Sequence, residues 1–206
     1  MTYDERNNGV IALLDPATQI KTRHLIDRCE LVGLDFLIVS GFRFKNQQDA
    51  LWEIGRIRPG NIVTYVRGGD SKHNYGVAID FVPVVHRIAM GHLDDAKSSN
   101  VRAVLEWAAT SEFRKIAAIA VDIGFEYLFP EWDKGHLEYT QGLSLSDLKD
   151  GKRPDERKAI REWKKDLTDQ LEIAVRAYES PVVTARRKQS LLNFIKMLER
   201  KIVRIK

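Results

Sequence analysis

The decapeptide Ser71-Lys72-His73-Asn74-Tyr75-Gly76-Val77-Ala78-Ile79-Asp80 passes from a polar loop into an apolar, β-prone run that continues to Phe81. Val77 to Phe81 is therefore expected to form a short strand, ended by Pro83, which has no N–H to give to a ladder. Two residues able to hold a cation flank the turn, His73 in the loop and Asp80 at the end of the strand. Gly76 between them permits the tight backbone reversal that lets both reach one point. A second segment, Trp132-Asp133-Lys134-Gly135-His136-Leu137-Glu138, brings another imidazole and further carboxylates from a separate part of the chain.

On either side of this strand the apolar pattern alternates between helical and extended. Asp15-Pro16 reads as an N-cap followed by proline at the first helical position. Ile20, Leu25, Ile26 and Leu31 predict a helix to about Val32, stopped by Gly33. Leu34 to Ser40, with Phe36, Ile38 and Val39, predicts a buried strand. Asn46 to Arg56 predicts a helix with Ala50, Leu51 and Ile54 on one side. Pro59-Gly60 is a turn, and Ile62 to Val66 is β-prone before a Gly68-Gly69 loop. Residues 84–100 carry no clear period. Asn100 to Val121 is expected to be helical with a break near Thr110-Ser111, and Gly124 ends it. Short strands are expected at Phe125–Leu128 and Gly135–Tyr139, then a short helix from Ser144 to Asp150. Gly151-Lys152-Arg153-Pro154 reads as a linker. Beyond it, Ile160, Trp163, Leu167, Leu171, Ala174 and Tyr178 form one helical stripe. Leu191, Ile195, Leu198, Ile202 and Ile205 form a second, after a break at Ser180-Pro181. The expected fold class is α+β: a small antiparallel sheet with flanking helices over about residues 1–150, followed by a helical hairpin over 155–206.

With 206 residues, 44% hydrophobic and 30% charged, the chain can bury a core for one domain plus an appendage. No apolar run reaches the ~18 residues a membrane span needs. Met1-Thr2-Tyr3-Asp4-Glu5-Arg6 shows no charged-then-apolar export pattern. Cys29 is the sole cysteine, which excludes an internal disulfide and a thiolate zinc cage. It lies in a helical pattern and reads as a small buried residue. The net charge of +4 is unevenly spread. Residues 151–206 hold 16 Lys and Arg against 8 Asp and Glu, whereas residues 1–150 hold 17 against 21. Within the basic part, Arg186, Arg187, Lys188, Lys196, Arg200, Lys201, Arg204 and Lys206 face Glu199 alone over 181–206. Such a stretch beside an apolar stripe suits an anionic wall polymer or membrane surface, and it suits equally a solvated helical face. No nucleic-acid recognition motif accompanies it, so nucleic acid is not an expected partner.

Any metal must then sit on imidazole and carboxylate. Zinc in hydrolytic sites takes three such ligands and keeps one position for a water, whose pKa it lowers to ~7. His73, Asp80 and His136 supply three. Asp133, three residues before His136, is spare for proton transfer. Arg43, in Ser40-Gly41-Phe42-Arg43 after a predicted buried strand, is placed to face a developing oxyanion. Each residue alone has a plainer reading. A lone histidine is more often a surface or core residue, an aspartate closing a strand is often a turn residue, and Arg43 equally fits a structural ion pair.

The joint pattern Ser-x-His-x-x-Gly-x-Ala-x-Asp, followed by Asp-x-x-His, resembles the peptidoglycan L-alanyl-D-glutamate endopeptidases. These belong to the group that includes the D-alanyl-D-alanine carboxypeptidases of vancomycin resistance, and the chain is most similar to phage endolysins of this type. The resemblance covers about residues 10–150. It includes Ser40-Gly41-Phe42-Arg43, the stretch from Gln48 to Leu51, Gly68-Gly69, Gly124-Phe125-Glu126 and Gly142-Leu143-Ser144. It implies a peptidase domain holding one zinc ion per chain on His73, Asp80 and His136, with Asp133 as catalytic acid/base and Arg43 steadying the carbonyl oxygen. Ser71 would orient a ligand by hydrogen bond. Tyr75, Trp132 and Glu138, in the two motifs, are candidates for contacts to the ligands or to substrate, and Glu138 is the next candidate base. The implied reaction is hydrolysis of the L-alanyl-D-glutamate bond of wall stem peptides. The implied setting is an enzyme made in the cytoplasm and released to the periplasmic wall with the help of a holin.

Two alternatives stand beside that reading: a D-alanyl-D-alanine carboxypeptidase with the same zinc site, and a wall-binding or virion protein that keeps the fold without the activity. Aspartate at 133, where the carboxypeptidase branch has glutamate, favours the endopeptidase. The full set Arg43, His73, Asp80, Asp133 and His136 speaks against an inactive protein. Departures from the family pattern lie at residues 84–110, where His86 and His92 read as surface residues, and at Tyr127-Leu128-Phe129-Pro130. The hairpin lies outside the resemblance.

Overall fold

The computed structural model describes residues 3–88, 101–105, 110–128 and 131–205. The chain divides into two compact units, Met1–Pro154 and Asp155–Lys206. The first contains α1 (Tyr3–Ile11), α2 (Pro16–Leu31), β1 (Asp35–Ser40), α3 (Lys45–Glu53), a 3-10 turn (Lys72–Tyr75) and β2 (Ala78–Ile88). There follow β3 (Val101–Leu105), α4 (Thr110–Asp122), β4 (His136–Glu138) and α5 (Leu145–Lys149). The class is α+β with a small antiparallel sheet, as the sequence predicts.

The centre of the sheet is β2. Asp80 pairs with both Ser40 and His136, and Val84 with both Asp35 and Leu105. Hence β1 occupies one edge of β2, and β4 and β3 lie end to end along the other. Phe81 anchors the core, with ring centroids 5.5 Å from Phe36 and 5.4 Å from Phe113 of α4. Around it Leu25, Leu37, Ile79, Ile116, Ala120 and Leu137 are fully buried.

Pro83 does not end the strand, contrary to the sequence reading. Phe81 N donates to Gly135 O at 3.0 Å, so it faces the β4 edge. Two residues on, Pro83 faces the same edge in the gap after β4, where no ladder partner lies among the described residues. The expected helix from Asn100 is also corrected: Val101–Leu105 is β3, paired with Val84–Ile88, and α4 starts at Thr110. A short apolar run fits either state, and pairing decides. Ile62 to Val66 joins no ladder, and Phe125–Leu128 reduces to one bridge, Glu126 to Glu138. The helix read as Asn46–Arg56 stops at Glu53, where Ile54 turns extended to bridge Arg58. His92, Phe129 and Pro130 fall outside the described residues, as does the side chain of His86.

The predicted cap of α2 is present: Asp15 Oδ1 accepts from Ala17 N at 3.1 Å, a contact of about 1 kcal/mol in such positions. Of the predicted stripe of α2, Leu25 is buried, while Ile20, Ile26 and Leu31 are half-buried. The buried face consists of Ala17, Thr18, Lys21, Thr22, His24, Leu25 and Cys29. Lys21 Nζ donates to Ile123 O at 2.7 Å, just past the C-terminus of α4, where the helix dipole favours a cation. Burial pushes the Cys29 thiol up to about 12, so it is an inert core residue. The helix α1, unforeseen in the sequence, covers the free edge of β1. Asn7 Nδ2 donates to Phe36 O and Asn7 Oδ1 accepts from Ile38 N.

The second unit is a pair of helices, α6 (Glu156–Glu179) and α7 (Ala185–Arg204), capped by Asp155 and Thr184. Leu167, Leu198 and Ile205 form its core, with Ile160, Trp163, Leu171, Phe194, Met197 and Ile202 packed around them. Among the described residues no helix is long and apolar enough to cross a membrane.

Candidate active site

Three separate elements converge on the end of β2. The 3-10 turn carries His73, capped by Ser71, whose Oγ accepts from His73 N at 3.3 Å. Gly76 closes the turn at φ +70°, and a Cβ there would lie 2.6 Å from Asp15 N, so only glycine fits. Asp80 lies on β2 directly opposite His136 on β4. Gly135 lets the second motif lie against β2, since a Cβ at that position would run into Phe81 O.

One ligand atom each from His73, Asp80 and His136 lies within 4.8 Å of the others. His73 Nε2 is 3.3 Å from Asp80 Oδ2, and His136 Nδ1 is 2.8 Å from Asp80 Oδ1. The remaining imidazole nitrogens fix the tautomers. His73 Nδ1 donates to Gly41 O at 2.8 Å, and a carbonyl only accepts, so that nitrogen carries the proton. His136 Nε2 donates to Glu138 Oε1 at 3.1 Å. The lone pairs of His73 Nε2 and His136 Nδ1 therefore turn towards the Asp80 carboxylate, an arrangement that needs a proton or a cation among the three groups. Imidazoles held from behind by a carbonyl and a carboxylate are the donor set a zinc ion takes. The residues fit the ion.

The electrostatics agree. Burial alone would raise the Asp80 pKa, but His136 and His73, when protonated on the nitrogens that face it, outweigh it and hold Asp80 well below the usual carboxylate range. Burial alone would lower the His136 pKa, but Asp80 and Glu138 outweigh it and raise it to about 10. The two shifts are the two sides of one coupling: the imidazoles favour the ionised carboxylate, and the carboxylates favour a positive charge on His136.

Asp133 is half-buried in the loop before β4, and its backbone oxygen accepts from His136 N at 3.2 Å. Burial, and then the Asp80 charge, raise its pKa above the ordinary aspartate value, against the pull of His136, His73 and Arg43. A more basic aspartate is a better proton acceptor near neutral pH. Arg43 Nη2 lies 3.7 Å from Asp80 Oδ2 and 2.8 Å from Ser40 Oγ. Burial lowers the Arg43 pKa, and Asp80 and Asp133 offset only part of that.

The remaining sequence candidates divide. Glu138 is 7% exposed, holds His136 and lies 3.5 Å from Lys72 Nζ. Burial would raise its pKa, yet His136 and Lys72 hold it low, which suits an orienting anion rather than a base. Tyr75 is turned to the loop, its hydroxyl donating to Gly69 O at 2.7 Å. Trp132 is 68% exposed beside Asp133. Three contributors are not singled out in the sequence: Gly41 O behind His73, Lys72 on Glu138, and Gln48 on Arg43. The first two act across segments far apart in the chain, the third across five residues.

The arrangement belongs to a class of peptidases. The family described as VanY, D-alanyl-D-alanine carboxypeptidase, matches residues 12–142, and the chain belongs to that family. It is also 39% identical over 110 residues to the peptidoglycan L-alanyl-D-glutamate endopeptidase CwlK of Bacillus subtilis (strain 168). That match covers 52% of this chain and 61% of the relative. The motif resemblance points to the same group.

Proposed function

We propose that the chain is a zinc-dependent peptidoglycan endopeptidase that hydrolyses the L-alanyl-D-glutamate bond of wall stem peptides, in the manner of a phage endolysin. The observation that carries the reading is the convergence of His73 Nε2, Asp80 and His136 Nδ1 with Asp133 and Arg43 beside them. His73, Asp80 and His136 would hold the ion, which when bound supplies Lewis acidity and a lowered pKa for water. Gly41 O and Glu138 keep both imidazoles turned to it. Asp133 takes a proton from the attacking water and returns it to the departing amine as the C–N bond breaks. Arg43 faces the carbonyl oxygen as negative charge develops on it.

The test is digestion of purified peptidoglycan with mass analysis of the products. New N-terminal D-glutamyl peptides are expected. Release of free D-alanine alone would assign the carboxypeptidase specificity of the matched family's description instead.

The basic outer face of α7 extends the reading to an anionic wall polymer. Several charges on α6 are paired within the helix: Lys158–Glu162, Lys165–Asp169 and Arg176–Glu172. Lys196, Arg200 and Arg204 recur every fourth residue on the exposed side of α7. The apolar stripe that a membrane helix would insert is occupied by packing on α6, which favours a polymer bound through charge over a bilayer. Replacing Lys196, Arg200 and Arg204 together by Gln in the full chain is expected to weaken pelleting with intact walls, most at low salt. Cleavage of a small soluble muropeptide is expected to be unchanged. Equal wall binding at every salt concentration would refute this targeting role, and loss of binding to anionic vesicles alone would reassign the face to lipid.

A further inference from the structure

Gln48 is a fully buried amide on α3, five residues beyond Arg43. Its Oε1 accepts from Arg43 Nη1 at 2.6 Å. Its Nε2 donates to Thr64 Oγ1 at 3.0 Å and to Val66 O at 2.9 Å. The orientation of the amide is dictated at both ends. A guanidinium offers only donors, so the amide oxygen must face Arg43. The Val66 carbonyl offers only acceptors, so the amide nitrogen must face the 61–67 segment. Among natural side chains of this length only glutamine meets both demands. Glutamate would set an acceptor against the Val66 carbonyl, and methionine would leave both partners unmet.

The two ends serve different things. On one side, the Arg43 guanidinium contacts Ser40 Oγ and the Asp80 carboxylate, both towards the end of β2. Gln48 is the counter-anchor that holds the guanidinium away from the carboxylate at 3.7 Å. On the other side, the 61–67 segment joins no sheet and is held by side chains: Gln48, and Arg56 Nη1, which donates to Thr64 O at 3.0 Å. This segment exposes Val63 and Tyr65. We infer that Gln48 is a positioning residue that sets the Arg43 guanidinium and ties it to the 61–67 segment. The effect on turnover rests on the proposed peptidase reading. The placement of Arg43 does not.

Two measurements test it. Arginine side-chain 15N NMR reads placement without any reaction, because a guanidinium held at both Nη atoms rotates slowly and gives resolved signals. Resolved Arg43 signals are expected in the wild type and their loss in Gln48→Met. A double-mutant cycle on a soluble muropeptide reads the consequence. Gln48→Met alone is expected to lower kcat about tenfold with KM within about twofold, and to cost nothing further in the Arg43→Ala background. Unchanged Arg43 signals in Gln48→Met, or losses that multiply across the cycle, would overturn the inference. If Arg43→Ala itself turns over normally while Gln48→Met still releases the signals, the oxyanion role of Arg43 fails and the positioning stands. Should Gln48→Met not fold, Thr64→Val on the half-exposed segment reads the same two quantities. It is expected to loosen the Arg43 signals and lower kcat about twofold, again only when Arg43 is present.

Discussion

A chelator, or replacement of His136 by Ala, is expected to abolish peptidoglycan hydrolysis and to remove the metal, measured as about one zinc per wild-type chain and none in the variant. His73→Ala and Asp80→Ala are expected to do the same. A site reduced to two ligands is a poor one, and here each removal also strands another group. Without His136, Glu138 loses the proton it accepts from Nε2. Without Asp80, two imidazole lone pairs face each other with no anion between them. The metal-free chain itself is expected to fold, because a proton on His136 can bridge Asp80 and Glu138 in place of the ion. The sign of the pH effect follows from that proton. The folded pKa of His136 is raised from 6.5 to about 10, so its stabilisation is fully present below 6.5 and is lost as pH rises through 10. Thermal melts of chelated protein are therefore expected to fall between neutral pH and pH 10, with the zinc-loaded protein changing less. Full zinc occupancy in His136→Ala would refute the ligand set.

What was legible in the sequence follows a physical division. The turn at Gly76, the cap at Asp15 and the helix stops at Gly33 and Gly124 are local events, settled by one residue's allowed φ or one side chain's reach. The ten-residue motif is legible for the same reason: a tight turn and a strand of known rise put His73 and Asp80 at one point, whatever surrounds them. The errors are non-local. Val101–Leu105 is a strand because Val84–Ile88 lies beside it. Pro83 stands inside β2 between the stretch paired with β4 and the stretch paired with β3, a place that only the pairing reveals. Asn7 lies in a helix the sequence does not predict, and its amide clasps the backbone of β1. In the site the residues that converge on one point sit in motifs, and the groups that aim them, Gly41 O, Gln48 and Lys72, lie in the same quoted stretches, but only the folded chain shows which atom each one holds.

Asp133→Asn separates chemistry from metal binding most sharply. The amide keeps the shape of the carboxyl and cannot take a proton, so turnover on a soluble muropeptide is expected to fall by ~10²-fold or more, the usual worth of general acid–base catalysis. Zinc content is expected to stay at the wild-type level, because Asp133 lies outside the cluster of His73, Asp80 and His136. The carboxylate at 133 is also one of two anions beside Arg43. Its removal leaves Asp80 as the remaining counter-charge, so the guanidinium stays in place and substrate affinity is expected to change little. Loss of zinc in Asp133→Asn would make the residue a ligand. Near-normal turnover would place the base elsewhere, but Glu138 is a poor substitute: its carboxylate is already committed to His136 Nε2 and Lys72, which hold its pKa low. A carboxylate that binds its partners more tightly than a proton cannot move that proton between water and a leaving amine. Asp133, raised by burial and by the Asp80 charge, can.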